Sequence, residues 1–459
     1  MPVGSAASDA PVVGDSGPVV PVQHDVCSDR GVQTALPTPL RTLAVDADTG
    51  LDTNDGSPGA PFRTLTKASA VARPGDLFLV RGTFEAQSIK PAMSGMVTAP
   101  IVFRGVDMPV VKNPASGVAV QLGGLSYVVV DGFELTGTTL TADFVNAQHC
   151  ILRNNFIHDK GIIRVYRSSD NMIEDNRWPQ CGTYCVILLG DSNRNHFERN
   201  AFGTAALSLF FQGEPGFPSI DNVIAHNTIE NPQGAGVSLS GSTGHTTLSC
   251  NLIQNCGSSV TGVAAPAITV NSSDNVVFGN ILLNNNSEPI LLQSIAANIA
   301  NRNRIERNVA WGNAGPPLRF LISTPNTPLD NNVIQDNALW ASNLSDNFHW
   351  TDKGVRYKVV FDRYHTGTTG WPDGGLGGNM ITHNLIGRVE GDIGAGWLFF
   401  IGTNKVTTWT LPEAQAHWSA LSGNFEAEPG FVAPASGDFR IGFDSAAGAA
   451  GVGRWLPGP

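Results

Sequence analysis

The chain has 459 residues and a formal charge of −11, which argues against a broad nucleic-acid surface, because neutralising phosphates takes clustered Lys and Arg. Charged residues make up 15% and hydrophobic residues 41%, a globular rather than a disordered balance. No apolar run is long enough for a membrane-spanning helix, and Gly, Pro and Asn interrupt every stretch that could carry coiled-coil heptads. The cysteines are Cys27, Cys150, Cys181, Cys185, Cys250 and Cys256, without a paired zinc spacing. Cys181/Cys185 and Cys250/Cys256 are near enough in sequence to bridge, and buried free thiols are an equal reading. Residues 1–35 show neither the basic nor the apolar region of a signal peptide.

In chain order, residues 1–40 are rich in Pro, Val, Ser and Ala and read as a tail or extended lead-in. Residues 41–459 read as one elongated domain. Its first part, 41–115, holds a short Ala-rich, helix-compatible stretch over 66–73, a Pro74-Gly75-Asp76 turn and a strand from Leu77 to Val80. A helix there would cover an open sheet end. Residues 116–343 carry a repeat, apolar-x-x-Asn-x-apolar, centred on Asn155, Asn176, Asn200, Asn227, Asn251, Asn280, Asn308 and Asn337, and again on Asn384 after an insertion. The interval is about 20–30 residues, the period of a solenoid. Alternating apolar positions and frequent β-branched residues make it a solenoid of strands, with Gly, Asn, Asp and Ser at the turns. The recurring Asn can adopt a left-handed corner, and its amide can bond along a column of stacked amides. Residues 344–378 are an insertion containing His349, Trp350, His365 and Trp371; residues 379–459 close the domain and hold Trp397, Trp409 and Trp418.

This pattern resembles the right-handed parallel β-helix family that includes pectate lyases and related polysaccharide enzymes. The segments Asp46–Leu65 and Ala99–Gly105 are similar to that family's opening segments, and Glu428–Phe431 and Ser436–Ile441 to its closing segment. The resemblance implies an all-β solenoid with an N-terminal capping helix and a C-terminal loop-rich insertion. It also implies a secreted or surface protein acting on a polysaccharide or oligosaccharide.

A packed β-helix interior has no room for substrate, so a site must use outward side chains aligned in columns on successive coils, about 4.8 Å apart. Aligning coils on the Asn column places Asn146, Arg167, Asp191, Glu214, Ser240, Asn271 and Gln293 in one such column. The section from Asn146 to Glu214 is ionisable, and its flanks add His149, Lys160, Arg164, Tyr166, Asp170, Tyr184 and Arg194. His149, Arg164, Tyr166, Tyr184 and Arg194 are the candidate substrate-binding residues.

Two chemistries fit this section. In β-elimination on a uronate, a cation neutralises the carboxylate and a base takes the acidified proton. Arg167 or Lys160 is then the base and Arg164 pairs with the substrate. Ca²⁺, which prefers oxygen ligands, could be held by Asp170 and Asp191 with Glu214. The alginate and chondroitin type of lyase places a Lys and an Arg one coil apart, a spacing that meets Arg167 and Leu188 here. In glycoside hydrolysis, Asp191 and Glu214 on neighbouring coils form the carboxylate pair. A third reading is a glycan-binding or adhesin solenoid without catalysis. Lyase action is the first expectation, and nucleic acid and membrane are not expected as partners.

Overall fold

The computed structural model describes residue 27, residues 29–442 apart from 114–116, 138–139, 258–264, 325–326, 342–358, 363–375, 389–397, 402–405 and 434–437, and residues 444–450 and 452. Most of the 344–378 insertion, with Trp350, Trp371, His349 and His365, therefore lies outside the described residues, as does Trp397.

Three sheets of 13, 12 and 13 described strands, here A, B and C, form the walls of the solenoid. One coil illustrates the rest. Ile151–Arg153 lies in sheet A, Phe156–His158 in sheet B and Ile163–Tyr166 in sheet C, and Met172–Glu174 then returns to sheet A beside its starting strand. Pairing is parallel and in register, so Leu152 faces Ile173, Ile173 faces Phe197 and Phe197 faces Ile224. Strand alternation turns each of these inward, where all are fully buried. Each such side chain contributes about 1.5–3 kcal/mol of transfer free energy. The fold is a right-handed parallel β-helix.

The repeated asparagine works as a ladder at the corner between sheets A and B. Each Nδ2 donates to the Oδ1 of the asparagine one coil on, from Asn155 to Asn176 (2.9 Å), Asn200 to Asn227 (3.1 Å), Asn251 to Asn280 (2.9 Å) and Asn337 to Asn384 (2.8 Å). The ladder runs one step further than the repeat suggested, to Asn424. The left-handed corner is not taken by the ladder asparagine itself. It falls on the residue before it, including Asn154, Asp175, Arg199, His226 and Cys250, all with φ of 54–57°. The ladder amide must point inward to bond, so its neighbour makes the bend and carries its side chain outside. A second ladder, Asn171–Asn195–Asn222 and Asn275–Asn303–Asn332–Asn379, lines the corner between sheets C and A.

The capping helix is Leu65–Val71, with the Thr64 hydroxyl accepting the Lys67 N–H, and it buries Leu65 and Ala68 on the first coil. At the far end, parallel stacking stops in antiparallel pairs. There the helix Leu411–His417 puts Ala414 into the core, beside Leu421 and the partly buried Trp409 and Trp418. Both ends thus cover strand edges that would otherwise template aggregation.

Cys181 bridges Cys185 as its spacing suggested, but Cys250 bridges Cys27, and Cys150 and Cys256 are buried free thiols. Cys250 sits at a left-handed corner and points outward, whereas Cys256 is fully buried in the core. One coil on, that corner is Gly279, where a β-carbon would lie 2.9 Å from the Cys27 sulfur. Residues 29–40 have no regular secondary structure up to the start of sheet A and lie along its outer face, with Leu36 against Val102, Val129 and Ile151.

Candidate functional site

The N-terminal strap lies over the part of sheet A between Val102 and Arg199, and the expected ionisable residues lie on the outer face of sheet C and its corner towards sheet A. Arg167 and Asp191 each follow a sheet C strand, each has positive φ, and each precedes a buried corner serine, Ser168 or Ser192. They are equivalent positions on consecutive coils, although the second coil carries one residue more. The extra residue is Gly190, whose carbonyl accepts the Arg167 N–H at 3.2 Å.

On the third coil the strand Leu207–Gly213 runs into a tight hairpin closed by reciprocal N–H···O bonds between Glu214 and Phe217 (3.1 and 2.9 Å). The Phe217 carbonyl also accepts the Asp191 N–H at 2.9 Å. The hairpin thereby brings the backbones of Asp191 and Glu214 to the corner that carries Arg167. The Arg167 guanidinium lies between the rings of Tyr166 (5.0 Å) and Phe217 (5.3 Å). The Glu214 carboxyl carbon lies 2.9 Å from the point where a β-carbon on Gly190 would be. Asp191 is exposed, with Oδ1 accepting from Asn193 Nδ2 at 3.2 Å. Among the described residues Arg167 forms no ion pair, so its cation is available to an outside anion.

The remaining expected residues scatter. Lys160 is exposed at the opposite end of the Ile163–Tyr166 strand, on the corner between sheets B and C, because that strand separates it from Arg167. It is not part of this group. Arg164 forms a bidentate pair with Asp143 on the preceding coil (2.9 and 2.8 Å), so its fork is already engaged. Asp170 and Arg194 are likewise bidentate partners (2.7 and 2.8 Å) beyond the corner, and this bond holds the Asp170 carboxyl below the usual carboxylate range. His149 stacks on Tyr127 at 4.7 Å on that same column. Tyr184 stacks on Phe210 at 5.4 Å near the beginning of the sheet C strands. Leu188 is buried in the core, so the paired Lys and Arg of the alginate and chondroitin type have no counterpart here.

Register also corrects the column. Tyr166 aligns with Leu189 and Gln212, then with Ser240 and Asn271, whereas Arg167 aligns one step later with Gly190, Gly213 and Gly241. The extra residues in the second and third coils shift Asp191 and Glu214 outward from that line.

Calcium takes six to eight oxygens. Asp170 commits both of its oxygens to Arg194, and no group of three His, Cys, Asp or Glu residues able to hold a metal occurs among the described residues. The donor set does not fit the ion.

Two charged clusters escaped the sequence reading. On sheet A, Arg153 pairs with Asp131 (3.1 Å), and Arg199 pairs with Glu174, Asp175 and Glu198. The strap roofs this cluster through the carbonyls of Arg30 and Thr34 and the Gln33 amide. Burial pushes the Glu174 carboxyl up, with Arg199 opposing. On sheet C, the half-buried Arg319 bridges the buried Glu288 and Asp362 at 2.6 Å each. Partners separated by tens to more than a hundred residues leave no local signal.

No curated protein matches the chain. A family model described as periplasmic copper-binding protein (NosD) matches residues 107–290, and one described as a protein of unknown function (DUF1565) matches residues 48–90. Among solved structures, the chain is similar to the PL6 family alginate lyase AlyGC, with 14% identity and a TM-score of 0.53 over 90% of this chain and 56% of that one. An alginate lyase from Paenibacillus sp. str. FPU-7 has 15% identity and a TM-score of 0.41, covering 75% and 99%. XylC, solved with xylose, has 11% identity and a TM-score of 0.43, covering 76% and 83%. No described helix is long and apolar enough to cross a membrane. At these identities the likeness is one of fold: the chain shares the parallel β-helix architecture of the alginate lyase AlyGC.

Proposed function

We propose that the protein is a polysaccharide lyase that cleaves a uronic-acid-containing chain by β-elimination at the Arg167–Asp191–Glu214 corner. The observation that carries this reading is the Arg167 guanidinium, clamped between two rings and without an ion pair among the described residues, on the corner that also carries Asp191 and Glu214. A guanidinium is a permanent cation in proteins, so Arg167 fits neutralisation of the uronate carboxylate rather than the role of base. Neutralised, that carboxylate acidifies the neighbouring C5 proton. Glu214, half-buried against Gly190, takes the proton. The C5–H electrons form the C4–C5 double bond, and the C4–O pair leaves on the glycosidic oxygen, which then gains a proton. The family of similar folds includes lyases that act on alginate, which supports an acidic substrate. Two disulfides support an oxidising, extracytoplasmic compartment.

Hydrolysis is the second reading, favoured by the carboxylates of Asp191 and Glu214 on consecutive coils, the arrangement glycosidases need. The two separate in one assay. Incubated with uronate polymers, a lyase generates the ultraviolet absorbance of an unsaturated uronate in step with new reducing ends. Reducing ends without that absorbance identify a hydrolase, and neither signal on any glycan supports a binding solenoid.

A further inference from the structure

Beyond the ionisable corner, the outer face of sheet C changes character. In register with Tyr166 and Leu189 come Gln212, Ser240 and Asn271, and the next outward column carries Ser238 and Thr269. Gln293 continues the first column on the following coil. These six side chains are polar and uncharged. Two hairpins rise beside them at the corner between sheets C and A: Glu214–Phe217, already described, and a second closed by reciprocal bonds between Ile295 and Asn298 (2.9 Å each). Asn298 reaches back two coils to place its Nδ2 3.4 Å from the Ser240 hydroxyl. Asn271, only 8% exposed, has a side-chain oxygen without a hydrogen-bond partner. An acceptor left so is costly unless a donor arrives.

We infer that this face is a binding subsite for neutral sugar units, so that the substrate is a heteropolysaccharide carrying uncharged residues next to its uronate. The inference rests on the proposed reaction for the position of the uronate. Coils repeat at about 4.8 Å, comparable to one pyranose, so a chain laid along the helix axis meets a new coil with each sugar. A uronate paired with Arg167 then sets the units beyond the Leu189 coil over Gln212, Ser240, Asn271 and Gln293. Amides and hydroxyls bond sugar hydroxyls well but have no charge to offer a carboxylate, so a wholly acidic chain would bury uncompensated anions there.

Calorimetric titration of the full chain tests this with three oligosaccharides of equal length: all-uronate, all-neutral, and a mixed one with a single terminal uronate followed by neutral units. The mixed one binds tightest. Asn271→Ala and Gln293→Ala each weaken it and the neutral one by about tenfold, the loss of one or two hydrogen bonds, and leave the all-uronate one within about twofold. Arg167→Gln weakens the two acidic ligands and spares the neutral one. Melting curves establish that the variants are folded. Wild-type binding of all three ligands by both subsite variants overturns the inference, as does an all-uronate oligomer that binds as tightly as the mixed one. If no uronate polymer is cleaved but Asn271→Ala still loses the neutral ligand, the lyase reading fails and the subsite stands.

Discussion

At the scale of single residues, the site depends on a missing side chain. Gly190 leaves the space that the Glu214 carboxyl occupies, and a β-carbon there would lie within 3.0 Å of three Glu214 atoms. Gly190→Ala should therefore displace Glu214 and lower kcat/KM on a uronate polymer by about tenfold or more, while shifting the melting temperature little, because the clash falls on the Glu214 side chain and not on the apolar core. An unchanged rate would separate Glu214 from the chemistry. The Asp170–Arg194 pair calls for a different measurement. The Arg194 bond holds the Asp170 carboxyl below its unfolded value of about 4. Its stabilisation is present above that value and fades as pH falls through the lower folded value. Asp170→Asn should cost no more than about 1 kcal/mol in urea unfolding at neutral pH, since the pair is exposed, and nothing at strongly acidic pH.

At the scale of elements, the asparagine ladder was legible because its interval is written in the chain. Asn251 shows what it contributes. Its Oδ1 accepts from the Asn227 N–H and Nδ2, and its own Nδ2 reaches Asn280 and the Ile224 carbonyl, all at 2.9 Å. Asn251→Ala strands these buried groups and should cost about 2–4 kcal/mol by denaturant unfolding. A much smaller loss would reduce the ladder to a corner formality. The αL corners were assigned one residue late, because the pattern marks the buried amide and not its outward neighbour. The displaced site register has a similar origin: one added residue at Gly190 and a hairpin at 214–217 are indistinguishable in sequence from ordinary loop variation. The strap left no periodic signal at all, since Gln33 finds Asn154 and Asp175 only after folding. Its anchor, Cys27–Cys250, predicts that Cys27→Ser speeds tryptic cleavage after Arg30, read as N-terminal trimming of an otherwise intact chain.

At the scale of the whole molecule, stacking turns sequence distance into adjacency. Arg167, Asp191 and Glu214 lie at one corner, though off the single column expected of them, while Lys160, Arg164 and Asp170 lie elsewhere because strand direction or a neighbouring coil claims them. That division is why a chelator should change the rate less than about twofold, with the Asp170 oxygens already committed to Arg194. The proposed elimination turns on Arg167 as the group that neutralises the uronate. The decisive measurement is the initial rate of unsaturated-uronate formation by Arg167→Gln against wild type on a cleaved polymer. Loss of a charge-assisted carboxylate contact in the transition state predicts a fall of about a hundredfold or more in kcat/KM with the fold unchanged. A variant that forms the unsaturated product at the wild-type rate would contradict it.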